Sequence, residues 1–199
     1  MTSLPLPALL AAFAPVLIWG SALLLSIASL CCIVATLRSP RRPLVYVAAG
    51  LLGAAIVLVL LPGTHAPLVF RVLIGIVALA LSVLGGGPAS QLVLALATRS
   101  SSVPGVHGGI VVRDRVQGGE ATREVLRGGM TIGFLERFAT TGAIMAGFPE
   151  AIAVLVAIKG VGRFTELDAG EAQERFIIGT LTSLIWACAC AGLFRLAAG

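Results

Sequence analysis

Residues 8–37 read ALLAAFAPVLIWGSALLLSIASLCCIVATL, thirty positions without a charge. As a helix rising ~1.5 Å per residue this run is about 45 Å long, more than the ~30 Å hydrocarbon core of a bilayer. It predicts one full membrane span over residues 16–37, with a tilted or interfacial start. Pro15 suits a first turn or a kink near the outer surface. Arg38, Pro40, Arg41, Arg42 and Pro43 close the run. Two more apolar runs follow. Residues 44–61 predict a second span, ended by Pro62, Gly63 and Pro67. Residues 68–84 predict a third, with Arg71 in its first turn, where a long side chain reaches the headgroups. Gly85, Gly86, Gly87 and Pro88 then read as a helix break. The apolar residues 89–98 are too few to cross alone. They read as an interfacial helix or a bent continuation of the third span.

The composition agrees with these runs. Of 199 residues, 58% are hydrophobic and 12% charged, against roughly 25% charged in a soluble domain. There are too few polar residues to cover a soluble globule, and the chain is too apolar for disorder. The four cysteines lie in apolar runs, so a secreted disulfide framework is excluded and small helix-packing residues are the better reading. No C-x-x-C spacing occurs, and His65 and His107 lie in different loops, so the sequence predicts no metal site and no cofactor. The expected fold is all-α: a polytopic membrane helix bundle of about six transmembrane helices.

Charge is unevenly placed. Residues 1–100 carry five arginines and no acid, whereas residues 101–199 carry nine basic and nine acidic residues. The arginines stand between apolar runs instead of along one face of a soluble element, which argues for membrane topology and against nucleic acid. Thirteen arginines face a single lysine, Lys159, the bias of a high-GC, actinobacterial-type genome. Counting basic residues at the loops, an outside N-terminus puts eight arginines on the cytoplasmic side (38, 41, 42, 99, 113, 115, 123, 127). Two, Arg71 and Arg195, fall outside. The expectation is a bacterial plasma-membrane protein with both termini outside. The N-terminus has no basic segment ahead of its apolar run, so the first helix is expected to be retained rather than cleaved.

The chain divides into a membrane half, 1–98, a polar cytoplasmic linker, 99–129, and a second membrane unit, 130–199. In the linker, residues 109–112 suit a short strand and 120–127 a solvated helix. The second unit predicts spans at 130–148, 149–164 and 176–196, with a tight hairpin turn at Gly147–Glu150 and an acidic loop at 165–175. Its charges are unusual. From Phe138 to Phe148 there are only eleven residues, ~16 Å of helix, so the fourth span must take in Glu136 and Arg137. Glu136 lies ~9 Å in from one end of its helix and Lys159 ~9 Å in on the returning one, so the two share a level. Arg163 is one turn below Lys159, and Glu174 with Arg175 enters at the same face. A lone charge at mid-membrane costs ~2.5–3.5 kcal/mol on insertion scales. Glu136 should therefore pair with Lys159 or Arg163, or be protonated. Arg137, ~100° round the helix, should meet Glu166, Glu174 or a lipid phosphate. Gly133, Gly160 and Gly179 permit close helix approach near this level.

Gly133-Phe-Leu-Glu136-Arg137, Ala157-Ile-Lys159-Gly-Val-Gly-Arg163-Phe164 and Glu174-Arg175-Phe-Ile-Ile-Gly179-Thr180-Leu-Thr-Ser183 form a pattern of spaced motifs. On these residues, about a third of the chain, the sequence resembles an uncharacterised family of small bacterial multi-pass membrane proteins. The resemblance implies no activity. It implies only that the charged hairpin and the start of the last span act as one unit.

Two uses of Glu136, Arg137, Lys159, Arg163 and Glu174 follow. One is a cytoplasm-facing site that binds or moves a small anionic solute or lipid headgroup, with Glu136 as proton acceptor. The other is a non-catalytic scaffold or complex subunit whose ion pairs only specify which helices pack. The expected partners are membrane lipids, a small anion or lipid headgroup, and a protein docking on the linker 99–129 or a second copy of the chain. An enzyme is the weakest reading, because no nucleophile or metal set accompanies the carboxylate.

Overall fold

The computed structural model describes residues 6–61, 65–97, 110–114, 121–125, 129–164 and 170–199, with side chains over 14–61, 65–97, 129–161 and 173–199. Its helices are α1 (Leu6–Arg38), α2 (Arg42–Leu60), α3 (Leu68–Ala97), α4 (Gly129–Ala146), α5 (Ala151–Phe164) and α6 (Gly170–Ala198). Together they form an all-α bundle of the polytopic membrane kind. Between α3 and α4, β1 (Ile110–Asp114) pairs antiparallel with β2 (Ala121–Val125), Val112 opposite Arg123. The segment read as a solvated helix is therefore strand over 121–125. Local composition favoured helix, but pairing with 110–114 is a non-local term that composition does not carry.

Among the described residues four helices, α1, α2, α3 and α6, are long and apolar enough to cross a membrane. The expectation of about six spans is reduced to about four. At 18 and 14 residues, α4 and α5 reach ~27 Å and ~21 Å, and α4 carries two charges within that length. They are joined by a short turn in which Gly147 takes φ 86°, a conformation that favours glycine.

The third run does not stop at its glycines. α3 continues through Gly85–Gly87 and Pro88 to Ala97, so residues 89–97 continue the same helix instead of forming a separate interfacial one. Likewise α6 begins at Gly170 and takes in the second half of the segment read as an acidic loop.

The packing has small residues inside and large ones outside. α1 buries Ala22, Ser26, Ser29 and Ile33, α2 buries Ala48, Leu52 and Ala55, and α6 buries Ala187, Cys190 and Ala191. Each set follows the three-four spacing of one helix face. Leu17, Leu24, Val57, Leu60, Val69, Ile76 and Ile185 point outward, each more than half exposed. In water this arrangement would be unstable. In lipid it is favoured: tails solvate the leucines and valines, and small residues let backbones approach. The buried hydroxyls of α1 find partners as an apolar medium requires. Ser26 Oγ donates back to the Ala22 carbonyl at 2.7 Å, and Ser29 Oγ crosses from α1 to the Ala48 carbonyl of α2 at 2.8 Å.

α3 and α6 form the central pair. α1 packs on α2 and α3, α4 lies in the groove between α3 and α6, and α5 packs chiefly on α4. The hairpin thus enters the bundle through α4.

Candidate functional site

The α4 face that meets α3 and α6 is polar. Arg137, Thr140 and Thr141 are its buried residues. Their three-four spacing puts them on one stripe with Gly133. In a lipid-surrounded helix, polar groups turn inward, because only the protein interior offers partners. Thr141 Oγ1 lies 2.6 Å from Ser82 Oγ of α3, a hydroxyl–hydroxyl hydrogen bond between buried residues.

Among the described residues Arg137 is the most deeply placed charge, 5% exposed. Its Nε donates to the Val83 carbonyl of α3 at 2.9 Å, and Nη1 donates to Ser183 Oγ of α6 at 3.2 Å. The guanidinium carbon stands 5.3 Å from the centre of the Phe134 ring, within cation–π range. The stem crosses α3 at Gly86, where a Cβ would meet Arg137 Cδ and come within 2.9 Å of Nε. At Gly133, a Cβ would lie 3.1 Å from Nη1. The expected partners of Arg137 were Glu166, Glu174 or a lipid phosphate. Among the described residues no carboxylate pairs with it. Glu174 is exposed on α6, and Glu166 lies outside the described residues.

Arg137 lands on the turn of α3 that Pro88 weakens. Proline lacks the N–H that would bond the carbonyl four residues back, so Leu84 loses its helical donor and this turn of α3 is weakened. Side chains bind the carbonyls just before it. Trp186 Nε1 of α6 donates to the Leu81 carbonyl at 3.0 Å, and Arg137 takes that of Val83. The indole lies against Gly85, where a Cβ would be 2.5–2.7 Å from ring atoms. One turn on, Ser90 Oγ donates to the Gly179 carbonyl at 3.0 Å.

Glu136 points the other way, toward α5. Lys159 Nζ donates to Glu136 Oε2. The two side chains stay 17% and 19% exposed, so the contact is not sealed from its surroundings. Nζ also lies 5.6 Å from the centre of the Phe176 ring of α6. Arg163 is in α5, but its side chain lies outside the described residues. Of the glycines read as packing residues, Gly179 has Leu94 at 3.6 Å from its Cβ position and Gly133 has Arg137. Gly160 has nothing within 4 Å of its Cβ position among the described residues and faces outward, so no close helix approach is made there.

These groups line one small cleft between α4, α5 and α6. Its polar wall is Glu136, Arg137, Thr140, Lys159, Thr180 and Ser183. Its volume is about 10 Å³ counted for the centre of a water-sized body, close to the least that admits one water. Thr140 is fully buried, and its hydroxyl has no hydrogen-bond partner among the described residues. Sequence reasoning missed Thr140, Ser183 and the inward turn of Arg137. The signal was there in the spacing Gly133, Arg137, Thr140, Thr141.

No family model, curated protein or solved structure matches the chain.

Proposed function

We propose that this chain is an integral protein of a bacterial plasma membrane that binds a small anion in the cleft between α4, α5 and α6. The observation that carries the reading is Arg137: a guanidinium 5% exposed, with no carboxylate partner among the described residues. The adjacent Glu136 acts on Arg137 electrostatically but is hydrogen-bonded to Lys159; a buried cation without a direct anionic partner is costly, and an anion beside it lowers that cost. Lys159 is bound to Glu136 and the two cancel, so the local balance stays positive. Both termini are placed outside by the basic-loop count. A hairpin returns to the side it left, so this topology is the same whether α4 and α5 cross fully or re-enter. The cytoplasmic side then holds the cleft's open end near Lys159 and the β1–β2 hairpin.

A second reading, a packing scaffold, is favoured by the narrowness of the cleft and by the contact between Lys159 and Glu136. A mutant cycle separates the two. Under the anion reading, Glu136→Gln and Lys159→Ala leave yield and thermal stability in detergent within about 1 kcal/mol, as expected for a part-exposed pair; Lys159→Ala, which leaves the Glu136 charge beside the cleft unbalanced, reduces anion binding, and Glu136→Gln does not. Chloride, inorganic phosphate and phosphatidylglycerol micelles serve as the probes. Under the scaffold reading each single change collapses the protein and the Gln/Ala double change restores it.

A further inference from the structure

The donor set and size of the cleft narrow the class of anion, taking the anion-binding reading above as the premise. We propose that the cleft holds one monatomic halide, bound between the Arg137 guanidinium and the hydroxyls of Thr140 and Ser183.

Three observations converge. The first is charge: Arg137 has two of its five N–H groups engaged by α3 and α6, it lines the cleft, and guanidinium offers donors only. The second is the supply of hydroxyl protons. Thr140 Oγ1 is buried with no partner among the described residues. Ser183 Oγ accepts from Arg137, so its own proton remains to be donated. Three donor groups thus border a space in which the one carboxylate, Glu136, is taken by Lys159. The hydroxyls keep lone pairs to which a water could donate, but an anion accepts their protons and balances the Arg137 charge as well. The third is size. Room for about one water-sized body favours a single small ion over a phosphate, carboxylate or lipid headgroup held whole inside the cleft. The remaining wall is Leu155, Val156 and Leu184, which offers nothing to the outer oxygens of a polyatomic anion but is compatible with a bare, polarisable ion.

The test uses the full chain purified in detergent. Thermal unfolding is followed in sodium chloride, bromide, gluconate and phosphate at one ionic strength. A ligand that binds only the folded state raises the melting temperature in a concentration-dependent way. Chloride and bromide should stabilise saturably over gluconate. Thr140→Val, which keeps the side-chain shape and removes the hydroxyl, should weaken the apparent halide affinity about tenfold, the loss of one hydrogen bond to a charged group. Ser183→Ala should act in the same direction. Bromide soaked into crystals should give an anomalous peak beside Thr140. Equal melting temperatures in chloride and gluconate would overturn the proposal. So would a halide response unchanged in both Thr140→Val and Ser183→Ala, because the ion would then bind elsewhere. Stabilisation by phosphate or phosphatidylglycerol alone, sensitive to Lys159→Ala, would overturn the halide assignment while leaving the broader anion reading standing. No response to any anion would overturn both.

Discussion

Alanine placed in turn at Gly85, Gly86 and Gly87 should give three different outcomes, although the three glycines are adjacent in one helix. At Gly85 the new methyl would sit 2.5–2.7 Å from the Trp186 indole. The ring is rigid, and its N–H is committed to the Leu81 carbonyl. Relief requires α3 and α6 to separate, which breaks that bond in the central pair of the bundle. Overpacking of this kind costs ~1–3 kcal/mol, and the lost hydrogen bond adds ~1. The gain in helix propensity, at most ~1 kcal/mol, does not offset this. Gly86→Ala should cost less, because the obstacle is the Arg137 stem, which has rotamers to use. Its signature is loss of the bond from Arg137 to Val83. Gly87 has nothing within 4 Å of its Cβ position, so Gly87→Ala should be neutral or stabilising. Equilibrium unfolding in mixed micelles ranks the three. Equal losses at 85 and 87 would mean that backbone flexibility, rather than the indole, sets the requirement for glycine.

Arg137→Ala and Arg137→Met should differ sharply. The side chain fills the junction of α3, α4 and α6 and is desolvated there. Truncation to alanine leaves a hole and deprives Ser183 and the Val83 carbonyl of their donors, and large-to-small changes at buried positions cost ~2–5 kcal/mol. Methionine keeps most of the volume and removes the desolvated charge, and exchanging buried charge for apolar volume is often neutral or stabilising. We therefore expect ~3 kcal/mol lost for alanine and a change within ~1 kcal/mol for methionine. Any anion-dependent stabilisation should vanish in both. If methionine proves as damaging as alanine, the hydrogen bonds of the guanidinium and not its bulk hold the junction. The comparison uses melting temperatures in one detergent, with and without chloride.

The positions of α1 and α2 were legible in the sequence because each is an uncharged run bounded by arginine or proline. The course of α3 was not. Gly85-Gly-Gly-Pro88 is a break signal calibrated on chains in water, where freed backbone groups can bond solvent. In an apolar surrounding the helix is the only local way to satisfy them, and Trp186 and Arg137 reinforce the weak turn from 105 and 54 residues away. The level of Glu136 and Lys159 could be read from residue counts along two antiparallel helices. The direction of Arg137 could have been read from its three- and four-residue neighbours Gly133, Thr140 and Thr141. The sequence reading turned Arg137 away from Glu136 but sought an acid or phosphate for it, where the structure supplies the Val83 carbonyl and Ser183. The second strand, 121–125, was not legible at all, since its partner lies in another segment.

The central claim is that α4, with its charges, is embedded in the membrane beside α3 and α6. Ile132, Leu135 and Phe138 flank Glu136 and Arg137 and face outward, 44%, 64% and 56% exposed. The direct measurement is spin labelling at these three positions in a background free of the four native cysteines, in lipid bilayers, comparing collision with oxygen and with a water-soluble nickel chelate. Embedding predicts that oxygen collisions dominate at all three sites. Nickel collisions dominating at 135 and 138 would put this stretch of α4 in water and contradict the account.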